Sequence, residues 1–193
     1  YNIRTGSYTN LKKQFNHPYA LSDNAVYCIF KDREGSIWAG TYFGGVNYFS
    51  KQYNYFQKYF PDGSGNSISG NAVREIKEDK NGNLWIGIED GGLNKLDPRT
   101  SKVTKFYPDG SAATLSHYNI HGLAVNDDEI WVGTFEQGLD VMDIHTGKIL
   151  HHYKRGPNTF QSDFIVSLCR ISSGEILIGT TLDLTSYDPK TKK

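Results

Sequence analysis

Sulfur is scarce in this chain, with two cysteines and one methionine among 193 residues. Two cysteines cannot build the multi-bridge framework that staples small secreted domains. Cys28 and Cys169 are therefore read as small buried side chains. Net charge is missing too, because 21 basic residues face 21 acidic ones. That balance excludes the broad basic field of a general nucleic-acid or membrane-surface binder. No run of about 18 apolar residues occurs, so no helix is expected to span a membrane, and no secretory leader is recognisable. Amphipathic helical periodicity is absent over any useful length. The motifs HExxH, GxSxG and GxGxxG are absent as well, which removes the commonest zinc-protease, serine-hydrolase and dinucleotide signatures.

What the chain does have is glycine and aromatic side chains: 20 Gly, 13 Tyr, 10 Phe and 3 Trp. Glycine for turns and aromatics for pleated surfaces make an all-β composition. One stretch organises the rest. Glu34-Gly-Ser-Ile-Trp-Ala-Gly-Thr-Tyr-Phe-Gly-Gly-Val46 returns as Gly82-Asn-Leu-Trp-Ile-Gly-Ile-Glu-Asp-Gly-Gly-Leu93. It returns again as Glu129-Ile-Trp-Val-Gly-Thr-Phe-Glu-Gln-Gly-Leu139, and in weaker form as Gly174-Glu-Ile-Leu-Ile-Gly-Thr-Thr-Leu-Asp-Leu184. Trp38, Trp85, Trp131 and Leu177 are equivalent and stand 47, 46 and 46 residues apart. A fixed period in the forties with short strand patterns inside it marks a β-propeller.

Each repeat holds four strand candidates, a to d. In the first these are residues 25–31, 36–41, 45–50 and 55–60. The a–b connection Asp32-Arg-Glu-Gly35 is a hairpin turn with glycine where positive φ is wanted. Asp79-Lys-Asn-Gly82 repeats it, Asn126-Asp-Asp-Glu129 is one residue shorter, and Ser172-Ser-Gly174 closes the set. The c–d turns, Leu96-Asp-Pro-Arg-Thr-Ser-Lys102 and its counterparts from Met142 and Tyr187, are polar and tolerate Pro98 and Pro189.

The expected organisation is a single propeller segment over 1–193, with a strand d of a preceding blade (1–13), blades at 14–60, 61–107 and 108–153, and a partial blade at 154–193. About four blades of four antiparallel strands result, with an incomplete ring. Residues 1–11 align with 96–106, so Tyr1 falls inside a repeat and the natural start is expected upstream. Open blade edges invite pairing. Closure within one chain, strand exchange between two chains and a cut from a longer propeller all remain open. Self-association through those edges, or further blades, is the expected partnership.

The pattern Asn24-Ala-Val, Asp32-x-x-Gly35-x-x-Trp38-x-Gly40-Thr41, Gly44-Gly45-Val resembles the two-component regulator propeller repeat. Asn71-Ala-Val, Asp79-x-x-Gly82-x-x-Trp85-Ile-Gly87, Gly91-Gly92-Leu resembles it equally. The third copy lacks the turn glycine and has Gln137 for the first Gly of the pair. The fourth lacks both the Trp and the Gly pair. The resemblance implies the periplasmic sensor region of a hybrid two-component system, in which a histidine kinase and a response regulator share one chain. It further implies recognition of an oligosaccharide, no cofactor, no nucleic acid and no membrane insertion by this segment.

The repeated residues themselves read as scaffold. Trp38, Trp85 and Trp131 are expected to fill the wedges between blades. Gly40, Gly87, Gly133 and Gly179 are expected where another backbone or ring comes close. Gly45, Gly92 and Gly138 belong to the Gly pairs. Ligand recognition is expected in the loops beside them, because b–c and d–a loops of an antiparallel blade emerge on one face and loops on a rigid scaffold carry binding residues. Tyr42, Phe43 and Phe135 offer rings to a pyranose face; Glu89, Asp90, Glu136 and Asp183 offer acceptors to hydroxyls. Arg74 and His121, with Tyr27 and Val166, are equivalent at the start of strand a, and Arg74 suits an acidic sugar.

Two other readings stand beside this one. The first is a structural or protein-binding propeller without a small ligand. The second, less favoured, is a carbohydrate-active enzyme using paired acids such as Glu89 and Glu136. The turn resembles the Asp-box of sialidases, but it carries one residue too many and no arginine cluster accompanies it. His117, His121, His145, His151 and His152 have no metal-ligand spacing, and the Asp/Asn turns form no spaced calcium loop, so no metal is expected.

Overall fold

The computed structural model describes residues 1–15, 17, 19–50 and 58–191. Among these residues the alternation of apolar and polar side chains folds locally into fourteen strands. β1 (Val26–Lys31), β2 (Ile37–Thr41) and β3 (Val46–Phe49) form the first sheet. β4 (Val73–Glu78), β5 (Leu84–Ile88), β6 (Gly92–Asp97) and β7 (Lys102–Phe106) form the second. β8 (Ile120–Asn126), β9 (Glu129–Thr134), β10 (Leu139–Asp143) and β11 (Ile149–Tyr153) form the third. β12 (Ile165–Arg170), β13 (Ile176–Thr180) and β14 (Leu184–Tyr187) form the fourth. Every pairing is antiparallel between neighbours in sequence. The fold is an all-β, incomplete propeller.

The chain falls into two compact units, Tyr1–Gly63 and Ser64–Lys193. The second holds three sheets, with the entry strands β4, β8 and β12 side by side. Its cores are the wedges between sheets. One gathers Trp85, Leu93, Leu123, Ile130 and Met142 with Leu115 of the preceding loop; the next gathers Trp131, Leu139, Val141, Phe160 and Ile176.

The tryptophans fill wedges in the second unit, where Trp85 is fully buried and Trp131 nearly so. Trp38 departs from expectation: it is 39% exposed and leans on Tyr48 at 4.5 Å. Among its described residues the first unit contains one sheet, and none of them forms a second sheet over that ring. The indoles share a second feature. Trp38 donates to Asp32 at 2.9 Å and Trp85 to Asp79 at 3.0 Å, while Trp131 donates to Glu129 at 3.3 Å. The turn itself does not need the acid. Gly174 N donates to the Ile171 carbonyl just as Gly82 N does to Asp79. Where Leu177 replaces the Trp, Ile171 replaces the Asp; in the first two repeats the carboxylate accepts two turn amides as well as the indole.

Close approach at the strand-b glycines is real but comes from another source than expected. A Cβ on Gly87 would meet Ile120, and one on Gly133 would meet Ile165, both β-branched side chains of the next sheet. At Gly40 and Gly179 the neighbours are Cys28 and Ser167 of the same sheet. No neighbour is a ring; backbone does come near at Gly133, where Gly122 N lies 3.5 Å from an added Cβ, and at Gly179, where Ser167 O lies at 3.6 Å, in each case behind a side chain. Both cysteines are free and exposed rather than buried, because they lie on strand positions facing out of the cores.

The strand d expected at 1–13 is absent, although its c–d turn forms. Gly6 N donates to Asn2 O at 2.9 Å and Asn2 N to Ser7 O at 2.7 Å, as Gly147 does to Asp143 and Asp143 to Lys148. A strand d needs a strand c beside it, and no described residues supply one. Of the expected strand at 55–60, residues 55–57 lie outside the described residues and 58–60 carry no strand.

Candidate ligand-reading site on the loop face

Strand a carries the same irregularity in all four repeats. Its register with strand b shifts between Val26 and Cys28, Val73 and Glu75, Ile120 and Gly122, and Ile165 and Ser167. The extra residue in each bulge is Tyr27, Arg74, His121 or Val166. A bulge re-aims one side chain without breaking the ladder, so a fixed backbone device presents a variable residue.

In three of the four repeats the partner of the bulge residue is the first residue of the b–c loop, held by the same backbone bond. Tyr42 N donates to Ala25 O at 3.0 Å, Glu89 N to Ala72 O at 2.9 Å and Phe135 N to Asn119 O at 3.1 Å. The side chains then meet. Tyr27 and Tyr42 have ring centroids 5.1 Å apart. Arg74 Nε lies 2.8 Å from Glu89 Oε2. His121 stacks on Phe135 at 6.0 Å with the planes 27° apart. Three repeats thus use one geometry for three chemistries: a ring pair, an ion pair and an imidazole on a ring.

The His121 pair is enlarged by Phe164, whose ring stands edge-on at 4.9 Å to His121 and 4.8 Å to Phe135. His117 adds a fourth ring, 6.0 Å from Phe135. Phe164 and Asn119 were not singled out from the sequence. Their signal was a small-residue position: the residue before strand a is Ala25 and Ala72 in the regular repeats but Asn119 and Phe164 in the others. Asn119 Oδ1 and His121 Nε2 are both buried without a hydrogen-bond partner among the described residues. Burial, and after it the charge of Arg74, holds the His121 imidazole below its ordinary value, so the ring is neutral at pH 7.

Phe43 is 86% exposed, with its amide on Asp23 Oδ2 and its ring on Tyr42. Asp90 and Glu136 are exposed and sit at φ 56° and 58°, a left-handed conformation that fixes the loop's apex. Asp183 is engaged by the Thr180 and Thr185 hydroxyls and the Gln161 amide. These hydrogen bonds, Thr180 first, keep its carboxyl below the ordinary range. It stabilises the turn that replaces the Gly pair. In the regular turns, Gly92 (φ 71°) and Gly138 (φ 80°) admit the carbonyls of Phe106 and Tyr153, against which any Cβ would press.

Residues 20–43 and 67–90 match the two component regulator propeller. Each of these two segments is similar to one such repeat. Each matched window runs from the d–a loop through strands a and b to the b–c loop, so it spans one complete bulge-and-loop pair. Among solved structures, the chain is similar to the extracellular domain of the hybrid two component system BT3049 from B. thetaiotaomicron. That pair is 27% identical over 89% of this chain and 24% of the other, with a TM-score of 0.53. The extracellular domain of BT4673 from the same organism aligns with the whole chain and 34% of its own, at 19% identity and a TM-score of 0.54, a likeness of fold alone. The chain therefore spans about a quarter to a third of these relatives. No curated protein matches it. No helix among the described residues is long and apolar enough to cross a membrane.

Proposed function

We propose that this propeller segment belongs to the periplasmic ligand-sensing region of a hybrid two-component sensor, recognises an oligosaccharide on its loop face, and signals to a histidine kinase. One observation carries the proposal: a repeated bulge delivers a different side chain to the same loop contact in three repeats. Scaffold conservation with site variation is what ligand reading by a repeat protein requires. His121, Phe135 and Phe164 present rings suited to a sugar's C–H face. Arg74 is already committed to Glu89, while Asp90 and Glu136 add negative charge nearby. That balance favours a neutral sugar over an acidic one. The acids serve as hydrogen-bond acceptors, and the segment binds without turnover. Calorimetry of the whole sensor region against neutral and uronate-containing oligosaccharides tests the reading. Binding of a neutral glycan, weakened about tenfold or more by Phe135→Ala, is expected. Failure to bind any glycan removes it.

A second reading, a propeller used for protein contact, is favoured by the position of the cavities. Two grooves of the second unit, one beside Ala124 and Arg170 and one beside Trp131 and Tyr187, are lined by none of Arg74, Glu89, His121 and Phe135. It expects signalling to survive Phe135→Ala.

A further inference from the structure

Asn119 holds the position before strand a, where the first two repeats have Ala25 and Ala72 and the fourth has Phe164. The backbone there asks nothing of the side chain: the carbonyls of Ala25, Ala72 and Asn119 accept the b–c loop amide alike. The third repeat nevertheless places a polar group at this point, and it is only 9% exposed. Asn119 Oδ1 and, two residues on, His121 Nε2 are the buried side-chain polar atoms that lack a hydrogen-bond partner among the described residues. An unpaired buried acceptor destabilises a fold, and alanine would avoid it with no loss to the backbone. A polar group kept under those conditions points to a partner that arrives from outside the chain.

The pair lies inside the array and not at its margin. β8, which carries His121, has β4 on one side and β12 on the other. His121 is held between Phe135, stacked at 6.0 Å, and Phe164, edge-on at 4.9 Å. These rings supply apolar walls, and the two unpartnered atoms supply the polar contact. Chemistry then selects what can enter. Asn119 Oδ1 is an acceptor only, so the incoming group must donate. Carboxylate, sulfate, ketone and ether oxygens have no proton to give. A hydroxyl has one, and it also accepts, so with the imidazole proton on Nε2 it suits both side chains.

We propose that Asn119 is the specificity-determining residue of the loop-face site, its Oδ1 accepting the proton of a ligand hydroxyl whose carbon skeleton lies against Phe135 and Phe164. His121 Nε2 takes the same hydroxyl or its neighbour on the next carbon. This rests on the oligosaccharide reading above and adds the chemical group that is read. Phe164 stands in the loop before β12, so its ring can give way to the ligand without breaking a strand pair. Ligands offering only acceptors at this point are rejected, because they leave Oδ1 buried and unpaired.

Calorimetry of the whole sensor region tests this with neutral gluco-, manno-, galacto- and fructo-oligosaccharides and, for whichever binds, its monodeoxy derivatives. Asn119→Ala is expected to weaken binding at least about tenfold. One monodeoxy derivative should bind the wild-type region at least about tenfold more weakly than its parent. The Asn119→Ala region should bind that derivative and the parent equally, the non-additivity that marks a direct contact. Asn119→Ala gives the third repeat the residue that two others carry, so its melting temperature should match or exceed that of the wild type. A glycan that binds wild type and Asn119→Ala alike overturns this inference and leaves the oligosaccharide reading standing. A weakening with no deoxy position coupled to Asn119 does the same. A lowered melting temperature with unaltered binding assigns the amide to an internal water and also overturns it. If no glycan of the panel binds the wild-type region, both readings fall together.

Discussion

Asp79 shows how a single residue can serve turn and core together. It is 4% exposed, accepts the amides of Asn81 and Asn83, and takes the indole proton of Trp85 at 3.0 Å. Burial opposes its ionisation, but the hydrogen bonds from Asn83 and Trp85 outweigh that, and its carboxyl lies below the ordinary value. A depressed acid stabilises the fold above the unfolded value of about 3.9 and loses that contribution as pH falls through the folded value. Asp79→Asn is therefore expected to cost about 1–3 kcal/mol near neutrality and to flatten the acid limb of stability below about pH 4. Urea unfolding followed by tryptophan emission at several pH values measures both; an unchanged acid limb would count against it. His121 is the other titrating residue of interest. Its neutral ring stabilises the fold fully above about 6.5 and less as pH falls through its lowered value. An NMR titration should find that value below about 6.5, and Arg74→Ala should raise it, since the guanidinium opposes protonation.

At the scale of the element, the pleat and the bulge divide the labour. The strands were legible from alternation, and the turns from Asp-x-x-Gly, because these are local preferences. The bulges were not, since they become visible only when strands a and b are paired. The interleaving of sheets was also hidden. Gly133 is required because Ile165 of the next sheet occupies the space of its side chain, with Cγ2 at 2.6 Å from an added Cβ. Gly133→Ala is expected to cost about 1–3 kcal/mol by overpacking. Gly40→Ala, facing the exposed Cys28 Sγ, should cost less. Equal effects in paired urea melts would contradict this. A further link is non-local: in three repeats the loop before strand a is latched to strand c. Ser22 and Ser69 amides donate to Asn47 and Asn94, and the Ser116 amide and hydroxyl donate to buried Asp140, whose other oxygen meets His152. A serine and an amide or acid about 25 residues apart form no local pattern.

For the whole molecule, burial is uneven. All three hydrophobic clusters lie between Ser64 and Lys193, whereas Tyr27, Ile29, Phe30 and Phe49 in the first unit are more than 60% exposed. Sparse burial means cheap local opening. Limited proteolysis should cut within residues 1–63 first and leave a resistant core beginning near Ser64, read by mass spectrometry. First cuts in the second unit would refute the ranking.

The blade period, the strand positions and the loops worth inspecting follow from residue spacing, because turns and pleats are decided within a few residues. The pairing of each bulge residue with its loop partner, the commitment of Arg74 to Glu89, and the recruitment of Phe164 to His121 are decided by the fold. They depend on contacts between strands and between sheets that no local preference specifies.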